Sequence, residues 1–431
     1  MIRLILNITG VLTCFTLIII GLLQIDDKQV PELTQLMEQL KSPNDSKAYL
    51  YLMGMDAPNG VDPLSAGAIA LQQNNIKRKN DGNRTLIAEP QTTKNVLAMP
   101  DNDLLCSYSE DSCLSYIFNN LNLIEDLINK HKILIDRYRI YANYHDFHTL
   151  SEPYIAEKTP PYFALSKAVQ LTNLSLFLKA SKGDVDEAIN LIYQLQSQLR
   201  QQLSQQDVLI GKLIYLKLIS DNLDLLSVIS NQYNYKLPNK IKLLSLQERS
   251  LRSSFVREIH IMSHLYEELD GAPDIFSTVG EEVLSHVPSW VTHMLFKKNM
   301  TFNESYKVYV YYTLLSETSI EIIEKEITDK ALMPLVIDHW IRNPIGTILN
   351  QIGQPDYLGY IASFGDIDNK IKLFNTGVNN MDNKDIMNGV RSVYNSTEHN
   401  LPYFNEDKTI LCFDSLFENS RFYNCLRIRI H

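Results

Sequence analysis

The chain contains no G-x-x-x-x-G-K-[ST] run and no G-x-G-x-x-G run. The glycine cradles that hold phosphates at a helix N-terminus are therefore missing, and nucleotide binding has no support. G-x-S-x-G is absent too, which removes the strand-to-helix elbow that presents a hydrolase serine. An excess of positive charge is also lacking: 40 Lys and Arg stand against 50 Asp and Glu, a net charge of −10. Nucleic acid, which needs a concentrated basic face, is excluded as a partner. The same balance gives no charge-based reason for the body to lie on an anionic lipid surface. No cofactor is implied by any motif.

Cysteine is scarce, and its placement is informative. Of five, Cys14 lies in an apolar run, and the others form two local pairs, Cys106 with Cys113 and Cys412 with Cys425. An even number outside that run fits an oxidising compartment. Of the three connectivities open to four cysteines, local pairing (Cys106–Cys113, Cys412–Cys425) is preferred. Free buried thiols and a structural metal are the rivals, although neither spacing matches the C-x2-4-C knuckle of zinc sites.

What is present begins with the run LILNITGVLTCFTLIIIGLL at 4–23. It carries no charge, and about 20 apolar residues cross a hydrocarbon core of roughly 30 Å. Asn7, Thr9, Thr13 and Thr16 are tolerable there because a helix satisfies its own backbone. A cleaved signal peptide would have a shorter apolar region and small residues before the cut; here Gln24-Ile25-Asp26-Asp27 follows directly. The expectation is an uncleaved single-pass anchor in the lipid bilayer, with cleavage as the alternative. Arg3 and the amino terminus precede the span, so the positive-inside rule puts the N-terminus inside, against the opposing vote of Lys28. The body would then be periplasmic, on the inner membrane of a bacterium, or lumenal in a eukaryote.

Beyond the anchor the chain reads as mainly α. Segment 24–111 is an N-terminal region of helices and loops, with short helices at 31–41 and 48–53 and a mobile loop or linker near 74–103. Segment 112–342 is a helical core domain, opened by one strongly periodic stretch at 112–141. Within it, 163–203 reads as helix, turn, helix. Gly183 suits the left-handed position that ends a helix, and Asp184 with Glu187 suits a capping box. Further helices are expected at 205–234 (with a break near Asp221), 239–269, 279–296 and 303–330. Segment 343–431 is α+β: a turn-rich stretch, helices at 367–374 and 384–394, and two strands at 409–413 and 422–430 forming a small C-terminal β-hairpin. Over about 40 residues the 163–203 hairpin resembles the tetratricopeptide type, without the full aromatic and proline pattern of that repeat. The resemblance implies an interaction module that is TPR-like in part, with an irregular helical array around it.

Candidate chemistry centres on His260, His264 and Glu268, spaced i, i+4 and i+8 on one helix face. Two histidines at i, i+4 can hold zinc, but the metalloprotease motif needs Glu directly after the first, and Ile261 stands there. The functional expectation is a non-enzymatic, membrane-anchored scaffold, adaptor or envelope-assembly factor that binds another envelope protein through exposed tyrosines and acids. The alternative is an envelope hydrolase, possibly metal-dependent, built around His260 and His264.

Overall fold

The structure, a computed structural model, describes residues 2–39, 45–81, 96–108, 110–271, 294–329, 337–353, 357–377, 389–394, 401–417 and 421–429. It is mainly helical. The first helix, α1 (Ile2–Leu23), is followed by α2 (Pro31–Gln39), α3 (Lys47–Met53) and α4 (Pro63–Asp81). Then come α5 (Asp111–Asn119), α6 (Leu121–Lys130) and α7 (Lys132–Tyr141). The centre is α8 (Tyr162–Ser181), α9 (Val185–Gln205) and α10 (Leu209–Gln232). Next are α11 (Leu246–Arg249), α12 (Arg252–Gly271), α13 (Lys298–Ser316), α14 (Ile320–Asp329), α15 (Pro344–Ile352) and α16 (Tyr357–Gly377). The chain closes with β1 (Tyr403–Phe404), β2 (Ile410–Cys412), the helical turn Arg421–Asn424 and β3 (Cys425–Arg427).

The expected helix–turn–helix is α8–α9, and Gly183 takes a φ of +102° at the turn, a conformation glycine adopts without Cβ strain. The capping box does not form. Asp184 makes no side-chain cap; both it and Glu187 face Lys179 instead, Glu187 at 2.7 Å. α10 packs on α8 and α9 and runs unbroken through Asp221, whose carboxylate accepts from Lys217 one turn earlier. The stretch at 112–141 is three helices, interrupted at Asn120 and His131. The supposed helix at 239–269 starts only at Arg252. Upstream, the Ile241 and Leu244 amides donate to Asn375 and Asp368 on α16, so the backbone is held extended apart from the single turn α11.

Of the linker expected near 74–103, residues up to Asp81 belong to α4, where Asn74 accepts from the Tyr154 hydroxyl and the Lys158 amide. Residues 82–95 lie outside the described residues, as do 279–293 of the expected helix at 279–296 and 384–388 of that at 384–394. The C-terminal hairpin is a three-stranded antiparallel sheet in the order β1-β2-β3. Cys412 stands directly opposite Cys425 in the β2–β3 register. Both local disulfides are formed, with sulfurs 2.02 Å apart in Cys106–Cys113 and 2.09 Å apart in Cys412–Cys425.

α1 is the expected apolar helix, yet among the described residues no helix is long and apolar enough to cross a membrane. The structure thus shows an apolar helix, and the expected transmembrane crossing has no support among the described residues.

One continuous cluster of buried apolar side chains extends from Leu33 to Ile428. Tyrosines join it: Tyr309, Tyr312 and Tyr357 surround Phe255 with ring centroids 4.9–6.4 Å away. α10 lies so deep that its polar residues are buried as well. Lys370 of α16 donates to Ser220 and, at 2.7 Å, to Asp224; the other Asp224 oxygen accepts the Arg427 amide of β3. A buried charge that loses its partner costs about 3–5 kcal/mol, whereas apolar replacement of both partners is nearly neutral. Asp224→Ala should therefore lower the unfolding free energy of the full chain by about 3–5 kcal/mol. Adding Lys370→Met should restore part of that loss; urea titrations in which the two losses simply add would contradict it.

Candidate functional site

The three residues singled out for metal binding share α12 but do not converge. His260 is buried at 7% exposure and has a backbone hydrogen bond with Leu36 of α2. Its Nε2 has no hydrogen-bond partner. His264 Nδ1 lies 3.7 Å from Glu267, and Glu268 is buried. Among the described residues no group of three or more His, Cys, Asp or Glu side chains is placed to hold a metal ion. His260 and Glu268 are buried on this face, and His260 is held by Leu36 of α2, while His264 stays partly exposed. A second charged cluster lies in the interior beside His260: Arg257 pairs with Glu157, and Ser151 links Glu157 to the Tyr49 hydroxyl. Burial holds the Glu157 carboxyl above its ordinary value while Arg257 pulls it down. With all four side chains buried or nearly so, this cluster clasps α3, the 149–157 loop and α12.

An open pocket of about 610 Å³ lies between the 234–240 loop and the end of α16. It is lined by Lys236, Lys240, amides and apolar groups, without an acid or thiol.

The arrangement that bears on function is the junction between α1 and the body. α13 has no side-chain cap from its own N-cap residue, Lys297. Asp26, three residues beyond α1, takes that role: its two carboxylate oxygens accept the amides of Asn299 at 2.8 Å and Met300 at 3.1 Å. A carboxylate there satisfies orphan N–H groups and meets the positive end of the helix dipole. Asn303, one turn further, receives the Val30 amide and donates to the Lys28 carbonyl. Arg342 donates to the Ile25 carbonyl at 3.0 Å and pairs with Asp27 at 3.2 Å. The segment after α1 is thus held by backbone and side chain at nearly every residue. The helix expected at 303–330 begins at Lys298, and its cap at Asp26 is not legible in the sequence, because the partners lie about 270 positions apart.

Compared with known protein families, with curated proteins and with solved structures, the chain matches none.

Burial, together with the nearby His264 and Arg257, pulls the His260 imidazole down from 6.5 to about 4. The folded state then binds fewer protons than the unfolded state between these values, so stability falls as pH drops from 6.5 towards 4. His260→Phe should flatten this acid limb by roughly 2–3 kcal/mol; an unchanged slope in denaturation at pH 4, 5, 6 and 7 would refute the assignment. At the junction, Asp26→Ala should remove a cap worth about 1 kcal/mol, speeding amide exchange at 299–300 roughly fivefold. Unaltered exchange there would mean that Asp26 does not cap α13.

Proposed function

We propose that this chain is a membrane-tethered helical scaffold of the cell envelope. α1 crosses the bilayer with its N-terminus inside, and the body stands in an oxidising compartment, the periplasm of a bacterium or the lumen of a eukaryotic organelle. There it acts by binding another envelope protein rather than by catalysis.

The observation that carries this reading is the junction. α1 exposes apolar side chains on every side, among them Val11 at 70%, Phe15 at 61% and Leu17 at 62%. The segment that follows is clamped to α13 and Arg342. Water does not favour an apolar helix with no covered face, whereas a bilayer does. A rigid clamp immediately afterwards suits a tether that must set the attitude of its cargo. The two disulfides support the oxidising side. Binding is favoured over catalysis because the charged clusters described above are satisfied internally. In addition, α5, α6 and α7 leave Tyr116, Phe118, Leu123, Ile133 and Ile140 at 36–50% exposure, the kind of surface protein contacts use.

The test combines topology with capture. In intact cells carrying a photo-crosslinking residue at Ile140, we expect one recurrent protein adduct. Non-reducing mass mapping of the same sample should show Cys106–Cys113 and Cys412–Cys425 bonded, and protease should reach the body only from the non-cytosolic side. Reduced thiols or a cytosolic body would overturn the location. Irradiation that never yields a protein adduct would overturn the scaffold role.

A further inference from the structure

α15 is built inside out. Its buried residues are Gly346, Thr347 and Asn350, preceded by buried Asn343. Its outward residues are Ile348 at 44% and Ile352 at 75%, preceded by Trp340 at 51% and Ile341 at 83%. Surface helices in water normally show the opposite pattern, apolar face inward. Ile348 and Ile352 lie i, i+4 on the outward side of α15, with Trp340 and Ile341 exposed in the turn before it, while Ile345 and Leu349 pack against the core.

The inward polarity is fully engaged. Asn343 accepts from the Lys297 and Gly346 amides and donates to Thr301 Oγ1 at 2.8 Å. Asn350 donates to the Thr301 carbonyl and accepts from Tyr266 and, at 2.6 Å, Ser305. The helix sits so close to α13 that a Cβ at Gly346 would lie 2.0 Å from Thr301 Oγ1. This polar seam prevents α15 from rotating Ile348 and Ile352 into the core.

Position supplies what covers the exposed stripe. Arg342, between Ile341 and α15, bonds the carbonyl of Ile25, two residues after the end of α1. Wherever α1 leaves the bilayer, Trp340 and Ile341 are held at that same level. The ionisable groups of 337–353 are Asp338, His339 and Arg342. They face Gln351, Glu304 and Asp27 respectively, so no charge in the segment is committed to the apolar side.

We infer that residues 337–353 form a second, in-plane membrane contact, with Trp340, Ile341, Ile348 and Ile352 entering the boundary between headgroups and acyl chains beside α1. The inference rests on the reading that α1 crosses the bilayer. Tryptophan is favoured at this depth, and an interfacial helix buries its apolar face about 5–10 Å. The contact is apolar and requires no anionic lipid, in keeping with the net charge of −10. A single helix lets its cargo swivel about the membrane normal and tilt; a second contact removes the tilt.

The full chain is reconstituted into phosphatidylcholine vesicles containing lipids brominated near the headgroup end of the acyl chain. Emission is compared between the natural chain and Trp340→Phe, which leaves Trp290 as the other tryptophan. The Trp340 component should be blue-shifted and quenched about twofold. Ile341→Asp with Ile352→Asp, both at exposed positions, should abolish the quenching while the protein still floats with the vesicles. Flotation with an unquenched, water-like Trp340 overturns the second contact and leaves the tether intact. A blue-shifted Trp340 that brominated lipid does not quench means that protein, including a second copy, covers the stripe, and this too overturns it. Failure to float overturns the tether and the inference together.

Discussion

The carboxylate of Asp224 is the constraint on which the described fold turns. It lies at 2% exposure on a helix surrounded by protein, where an unpaired charge is expensive and a paired one dictates what must be nearby. One oxygen takes the Lys370 ammonium of α16; the other takes the Arg427 amide of β3. Arg427 then extends the node, its guanidinium donating to the Tyr108 carbonyl and to Thr409. Groups from 108, 224, 370, 409 and 427 are thereby fixed around one buried site. Both disulfides flank it: Tyr108 lies between Cys106 and Cys113, and Arg427 stands two residues after Cys425. Oxidation thus shortens the segments that deliver these groups, so the cross-links and the buried charge act on the same part of the fold.

The same rule, that a polar group must be satisfied where it is buried, explains the two helices with unusual exteriors. α10 contains Lys212, Asp221, Asn222 and Asp224 in the interior and leaves almost nothing outside. α15 and the residue before it turn their amides inward to Thr301 and Ser305, which leaves Ile348 and Ile352 on the outside. α1 has apolar groups on all sides and no polar seam. Exposed apolar surface on α1 and α15 therefore has two origins, one in composition and one in hydrogen bonding, and Arg342 brings the two together.

How much of this was legible in the sequence depends on the range of the forces involved. Local chemistry could be read directly: the apolar run, the Gly183 turn, and cysteines spaced closely enough to pair with each other. Tertiary overrides could not. Hydrophobic periodicity continues across Asn120 and His131, so nothing in 112–141 announces three helices. Residues 241–244 look helical in isolation but are pulled straight by amide acceptors on α16. β1 is two residues long and gains its identity only from pairing Tyr403 with Cys412. His260, His264 and Glu268 have the spacing of a ligand set, but spacing does not reveal that His260 and Glu268 are buried and that Leu36 of α2 holds His260. The stretch containing α15 read as turn-rich because of Asn343-Pro344, Gly346 and Gln354-Pro355-Asp356, whereas Pro344 opens a helix that Asn343 caps.

What the sequence concealed most completely is the role of α13. Its first turns receive Asp26 at the amides of Asn299 and Met300, Lys28 and Val30 at Asn303, and α15 at Thr301 and Ser305. Further along, Tyr309 and Tyr312 pack on Phe255 of α12 and Tyr357 of α16. Every element near the end of α1 therefore bears on one end of this helix, and the aromatic cluster carries the other end into the core. Hydrogen bonds to backbone amides fix direction as well as distance, so a tilt of α1 displaces α13 rather than being absorbed in a loop. If α1 is a membrane tether as proposed, seating it on a core helix rather than on a slack linker fixes the attitude of the body, and hence the direction in which α5–α7 face.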